Sequence, residues 1–265
     1  MLGEVALFMF DMDGTFYLGN ELLPGADVFL KKLQEQKKEY VFLTNNSSRA
    51  AADYQLKLSR MGLNVPLERI ITSGEVTASY IEEKNAGANV YVVGTKSLQD
   101  VFATHDFEIK DNKDEEIEFL ILGFDTSLTY KKLWDAHDLI LQGVEYIATN
   151  PDYVCPLPEG RSMPDCGSFI QLLKTSTGRE PYVVGKPNPV MVDYIVRKFE
   201  VKKDNIAMVG DRLYTDIRMA SEAGITGILV LSGETDSGML KEATEQPDLV
   251  LSDVTSIADR LSFSY

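Results

Sequence analysis

Cysteine is scarce in this 265-residue sequence: Cys155 and Cys166 are its only thiols. Two cysteines are too few for a disulfide framework, and their spacing suits no metal centre. They fit a reducing compartment. Basic residues are also short, 26 Lys and Arg against 41 Asp and Glu, for a formal net charge of -15. A nucleic-acid-binding face needs the opposite balance, so no nucleic acid polymer is expected as a partner. An acidic surface still permits an anionic small molecule at a locally positive site. No apolar run approaches the roughly 20 residues that span a bilayer. The opening "MLGEVALFMFDMDG" has no basic stretch before its short apolar run, unlike a secretory signal. A soluble, cytoplasmic protein without membrane association is expected. Motif absences narrow the chemistry further. There is no G-x-S-x-G, no paired Cys/His set and no G-K-[ST], which removes acyl-nucleophile, zinc and P-loop readings. His105 and His137 fall outside every motif.

What is present is a regular alternation. Short apolar runs recur, predicting strands at 5–10, 40–45, 69–73, 89–94, 117–124, 145–150, 182–185, 206–211, 227–233 and 248–253. Many are apolar throughout, as parallel strands covered on both faces are. Amphipathic stretches such as "GADVFLKKLQEQKK" and "NPVMVDYIVRKF" lie between them. The alternation predicts an α/β fold with a parallel sheet, and 44% hydrophobic residues can fill a substantial core.

Ligands of such sheets bind beyond the carboxyl ends of the strands. The residues there are Asp11, Asp13, Gly14 and Thr15; then Thr44, Asn45 and Asn46; then Lys186; then Asp211 and Asp216. Residues i and i+2 of an extended chain point the same way, so Asp11 and Asp13 can face one pocket. Gly14 permits a sharp turn, which Thr15 can tie down by hydrogen bonding. Asp211 adds a third carboxylate, and three hard oxygen ligands suit Mg²⁺.

A carboxylate can attack phosphorus and form an aspartyl-phosphate. Its charge meets a phosphate dianion at about 4 Å with roughly 8 kcal/mol of repulsion at an effective dielectric near 20. Mg²⁺ and Lys186 offset that repulsion. Asp11 is then the nucleophile, and Asp13 the acid that protonates the leaving alcohol and later activates water. Thr44 holds a phosphoryl oxygen. Each residue alone has an ordinary role as a turn, a helix cap or a surface lysine. All of them together, in this order at strand ends, do not.

D-x-D-G-T, a strand ending in Thr, a lone Lys and G-D-x-x-x-x-D together resemble the haloacid dehalogenase (HAD) superfamily of phosphohydrolases. "LTNNSSR", "VVGKPNP" and "VGDRLYTDI" resemble more narrowly its NagD / p-nitrophenyl phosphatase branch. The resemblance runs the whole chain. It implies a Rossmann-like HAD core with Asp11 as nucleophile, Asp13 as acid/base, Thr44 as phosphate-binding hydroxyl and Lys186 as charge neutraliser. Asp211 is the implied Mg²⁺ ligand, with Asp11 and the Asp13 carbonyl, and Asp216 a supporting carboxylate. Asn45 and Asn46 match the substrate-contacting segment. Dehalogenases of the superfamily lack an Asp at the position of Asp13, so phosphate transfer is favoured.

Thr44 and Lys186 are 142 positions apart, where the core needs only about 35. The remaining roughly 100 residues make a domain. The resemblance implies an inserted α/β cap of the C2 type over 83–181, with the core over 1–82 and 182–265. Asn150, Asp152 and Cys155 are candidates to face the leaving group. Asp165 and Gly167 read as turn and helix-start residues. Pyridoxal-phosphate phosphatases resemble the sequence too, but carry a His where Cys155 aligns, which counts against that substrate. The expected function is Mg²⁺-dependent hydrolysis of small phosphomonoesters such as sugar phosphates or nucleoside monophosphates. The alternatives are a phosphomutase or phosphotransferase using the same aspartyl-phosphate, or a non-catalytic phosphometabolite-binding protein. The expected partner is a small phosphorylated metabolite, with a homodimer left open.

Overall fold

A computed structural model describes residues 2–261. The chain packs as two units: residues up to 44, 54–71 and from 186 onward form the first, and 45–53 with 72–185 the second.

The first unit is built on a six-stranded sheet. Its strand order is Leu249–Leu251, Thr226–Val230, Ile206–Gly210, Leu7–Phe10, Glu39–Thr44 and Ile70–Thr72. The Leu7–Phe10 strand pairs in parallel with both central neighbours. All four of its residues are buried, as two-sided cover requires. Phe10, Phe16, Phe29 and Phe42 meet on one side of it, with Phe16 edge-on to Phe10 and Phe42 at 4.9 and 4.7 Å between ring centroids. The amphipathic stretches form the helices Ala26–Glu35 and Val190–Phe199, whose apolar stripes are buried.

The second unit has its own parallel five-stranded sheet, in the order Tyr182–Val183, Glu145–Ala148, Phe119–Leu122, Asn89–Val93 and Glu108–Ile109. An antiparallel hairpin, Val154–Pro156 with Ser162–Pro164, adjoins it in sequence. The helices Tyr130–Gln142 and Cys166–Thr177 cover a core of Leu120, Leu122, Phe124, Leu139, Ile140 and Leu173. Thr129 and Asp165 cap their first turns with side-chain oxygens.

All ten predicted strands are present, but one is placed differently. "YVVG" reads as a core strand delivering Lys186. Instead, Tyr182–Val183 pairs with Ile147 and Ala148 at the edge of the second sheet. The expected joins at 82/83 and 181/182 fall inside the second unit. Buried polar bonds account for its larger extent. Ser47 Oγ accepts from Thr149 Oγ1 at 2.7 Å and from the Phe124 amide at 2.9 Å. The Asn45 carbonyl accepts from Ser73 Oγ and Asn150 Nδ2. Leaving these groups unpaired costs about 1–3 kcal/mol each, so residues 45–50 stay with the second unit. Among the described residues no helix is long and apolar enough to cross a membrane.

Candidate active site

Asp11 leaves the sheet just after Phe10, its amide bonded to the Val209 carbonyl at 2.9 Å. The chain then folds into a tight turn in which the Met12 carbonyl accepts from Phe16 and Tyr17. Gly14 has φ +81°, and a side chain there would also run into the Asp211 carboxylate. Thr15 does not tie this turn through its hydroxyl. It is fully buried, and Oγ1 has no hydrogen-bond partner among the described residues.

Asp211 follows the Ile206–Gly210 strand. The next stretch, Leu213–Ile217, is a wide π-helical turn in which the Arg212 carbonyl accepts from both Asp216 and Ile217. Such turns recur at functional sites because they re-aim one side chain. Here Asp216 swings back over Gly210, where any Cβ would overlap its carboxylate. Lys186, also buried, bonds to Asp11, donates to Asp216 Oδ1 at 2.7 Å, and lies 3.5 Å from the Leu43 carbonyl. Thr44, the next residue, ends the Glu39–Thr44 strand nearly buried.

Carboxylate oxygens of Asp11, Asp211 and Asp216 lie within 4.8 Å of one another. The carboxylates expected to share a pocket were those of Asp11, Asp13 and Asp211. Among the described residues the cluster has Asp216 in place of the Asp13 carboxylate, and Asp13 itself stands just before the Gly14–Phe16 turn. Asp13 remains near enough that burial, together with the Asp11 charge, raises its pKa against the opposing pull of Lys57. Lys57 also sits 3.9 Å above the Tyr17 ring. Burial, then Asp11 and Asp216, push the Asp211 carboxyl up to about 7. Burial raises Asp216 as well, against the pull of Lys186. Burial works against the Lys186 ammonium, yet Asp11 and Asp216 outweigh it and hold its pKa above the ordinary value.

These groups fit a small divalent cation. Lys186 and Arg212 set two positive charges against three buried or half-buried carboxylates, so negative charge is in excess. Asp211 Oδ1 is buried without a hydrogen-bond partner among the described residues. Hard oxygen donors of this kind suit Mg²⁺ or Ca²⁺ rather than a soft metal.

The other expected residues lie in the second unit. Asn46 folds on itself, its Oδ1 accepting from the Ser48 amide and hydroxyl, with Nδ2 4.0 Å from Cys155 Sγ. Cys155 is half-buried against the core of that unit. Asn150 is a correction: it is fully buried, its amide donating to the Asn45 carbonyl and its Oδ1 accepting from the Asp152 amide. Its side chain holds the loop together and is not presented to a leaving group. Asp165 accepts from the Cys166 amide as a helix cap, and the Gly167 amide bonds to the Asp152 carbonyl. Any Cβ at Gly167 would strike the Pro151 carbonyl. Sequence reasoning missed Lys57 and Arg212. Arg212 stood inside "GDRLYTD", but its spacing gave no sign of what it pairs with.

The sequence matches the haloacid dehalogenase-like hydrolase family over residues 8–108, and a related HAD-hydrolase-like family over 183–257. The 4-nitrophenylphosphatase of Thermotoga maritima is 45% identical and superposes with a TM-score of 0.94, covering 98% of each chain. The chain belongs to the haloacid dehalogenase-like hydrolases. A solved structure described as a putative nagD protein is 44% identical, with a TM-score of 0.92 over 98% of this chain and 100% of that one. Dihydroxyacetone phosphatase from Corynebacterium glutamicum is 35% identical over 95% of this chain and 90% of its own length. Within the superfamily the chain is a NagD-like phosphatase, a phosphoric monoester hydrolase.

Proposed function

We propose that this HAD hydrolase removes phosphate from small phosphomonoesters, such as sugar phosphates or nucleoside monophosphates, through an aspartyl-phosphate on Asp11. The observation that carries the reading is the buried Lys186, bonded to Asp11 and Asp216 beside a third carboxylate, Asp211. A structural ion pair needs one carboxylate, not three.

In this reading Asp11, Asp211 and Asp216 hold the divalent cation, with Mg²⁺ the natural choice, and the Asp13 carbonyl is a further candidate ligand. When bound, the cation neutralises charge on the phosphoryl oxygens. The chain's own groups do the rest. Lys186 and Thr44 bind phosphoryl oxygens. An Asp11 oxygen attacks phosphorus as the bond to the leaving oxygen breaks, and Asp13 gives that oxygen its proton. A raised pKa keeps a larger fraction of Asp13 protonated for this step. Asp13, now ionised, takes a proton from water. That water attacks the phosphorus of the acyl phosphate, releasing inorganic phosphate and freeing Asp11. Asn45 and Asn46 continue the phosphate-binding segment. Selection of the leaving group is assigned to the second unit as a C2-type cap, with Asp152 and Cys155 as candidates.

The test is phosphate release from a panel of small phosphomonoesters, with Mg²⁺ and with excess EDTA. Release should require the metal, and Asp11→Asn should abolish it with the fold intact by circular dichroism. Release that persists in Asp11→Asn overturns the nucleophile assignment.

A further inference from the structure

The segment Leu231 to Asp236 follows the Thr226–Val230 strand and carries none of the motif residues. Yet it grips Asp211 on several sides. The Glu234 amide donates to Asp211 Oδ2 at 2.7 Å, and the Thr235 amide to the Asp211 carbonyl at 3.2 Å. Ser232 Oγ donates to the Gly14 carbonyl at 2.8 Å. The Asp211 carboxylate is wedged between Gly14 and Gly233, since a Cβ on either glycine would collide with it. One carboxylate oxygen is thereby fixed by the segment, while Oδ1 has no hydrogen-bond partner among the described residues.

The segment is itself held through one side chain. Glu234 Oε1 accepts from the Tyr214 hydroxyl at 2.9 Å, and Oε2 lies 3.0 Å from Arg212 Nε. Arg212 and Tyr214 belong to the stretch immediately after Asp211. The Tyr214 hydrogen bond and the Arg212–Glu234 ion pair, in which Arg212 Nε makes no hydrogen bond among the described residues, therefore close a ring from Asp211 through Arg212 and Tyr214 to the Glu234 carboxylate, and the Glu234 amide leads back to the Asp211 carboxylate.

We propose that Arg212, Tyr214 and Glu234 form a brace that positions Asp211 for a divalent cation. They are positioning residues, and the inference rests on the reading of Asp211 as a cation ligand. Outer partners of this kind typically change metal affinity by about 10–100-fold when lost.

Arg212 makes the inference sharp because its two effects on a cation have opposite signs. Its charge repels the ion, so acting by field alone its removal tightens binding. As part of the brace, its removal loosens Asp211 and weakens binding.

The experiment is calorimetric titration of Mg²⁺ into EDTA-stripped protein, with circular dichroism to check the fold. Arg212→Gln and Glu234→Gln should each raise the Mg²⁺ Kd by about tenfold or more, and Tyr214→Phe by less. The Glu234 side chain is 38% exposed, so its substitution leaves the fold intact. Mg²⁺ Kd values within twofold of wild type in both Gln variants, or tighter binding in Arg212→Gln, would overturn the brace. Asp211→Asn separates the two levels. If it binds Mg²⁺ like wild type, the cation-ligand reading fails and the brace with it. If it loses Mg²⁺ while the brace variants keep it, only the brace fails.

Discussion

Lys186 Nζ lies 2.7 Å from Asp216 Oδ1, with the Lys186 side chain 3% exposed and that of Asp216 shut off completely. A charge pair this deep is strongly coupled to its surroundings. Removing one partner typically costs about 3–5 kcal/mol, because the other charge stays buried. Lys186→Met should show that loss by denaturant unfolding in EDTA at pH 8. The loss should shrink toward pH 5. Without the ammonium, burial raises the carboxyl pKa further, and a carboxyl raised on folding destabilises as pH climbs past its unfolded value. A cost that did not vary with pH would show that Asp216 does not take up the proton.

The same variant should lose turnover by about a hundredfold or more, the usual effect of removing a preorganised charge from a transferring group. Steady-state rates at saturating Mg²⁺ read this out. A change confined to KM would mean that Lys186 binds the ground state and the transition state equally and adds nothing specific to the chemical step.

Gly14→Ala combines two penalties, a left-handed backbone and a Cβ directed at the Asp211 carboxylate. Strain of this kind costs about 1–3 kcal/mol. The expected outcome is that loss of stability together with weaker Mg²⁺ binding. Gly19→Ala is the control: its φ is +61°, but nothing lies within 4 Å of the added carbon. It should lose stability and leave Mg²⁺ binding unchanged.

Mg²⁺ should stabilise the wild-type fold by about 2.7 kcal/mol at a hundred times its Kd. Thermal scans with and without the metal measure the shift. Asp211→Asn should largely lose it, while gaining stability in EDTA, because it removes a carboxylate that burial and two neighbouring carboxylates push up to about 7. An undiminished Mg²⁺ shift in that variant would remove Asp211 from the ligand set.

His105 supplies a pH dependence away from the carboxylate site. Its Nε2 lies 3.5 Å from Glu75 and its Nδ1 3.1 Å from Glu82, and it stacks near Phe107. The Glu75 bond, aided by Glu82, raises its pKa against the effect of burial. A histidine raised on folding stabilises fully below its unfolded pKa, and that contribution is lost as pH rises through the folded one. NMR titration should place the ring above the ordinary 6.5. His105→Gln should remove the matching slope from the stability profile.

The sheet and the core motifs were legible because they rest on short-range rules. Apolar runs such as that ending at Phe10 mark buried strands, and the residues just beyond them mark the ligand end. Long-range pairing was not legible. Nothing in "YVVG" says whether Tyr182 pairs with the first sheet or with Ile147, since either partner suits an apolar strand. The grouping of Asp216 with Asp11 and Asp211 depends on a π-helical turn, which leaves no periodic trace in "DRLYTD". Asn150 read as a candidate to face the leaving group because sequence does not reveal that the Asn45 carbonyl accepts from its amide.

The backbone passes from one unit to the other between 44 and 45, 53 and 54, 71 and 72, and 185 and 186. The second unit is thus assembled from two stretches of gene, not one. An exchange of second units between relatives that cuts only at the ends of 72–185 leaves Ser47 from one parent facing Thr149 and Phe124 from the other. A transplant that carries residues 45–53 along with 72–185 moves both halves of that buried network together.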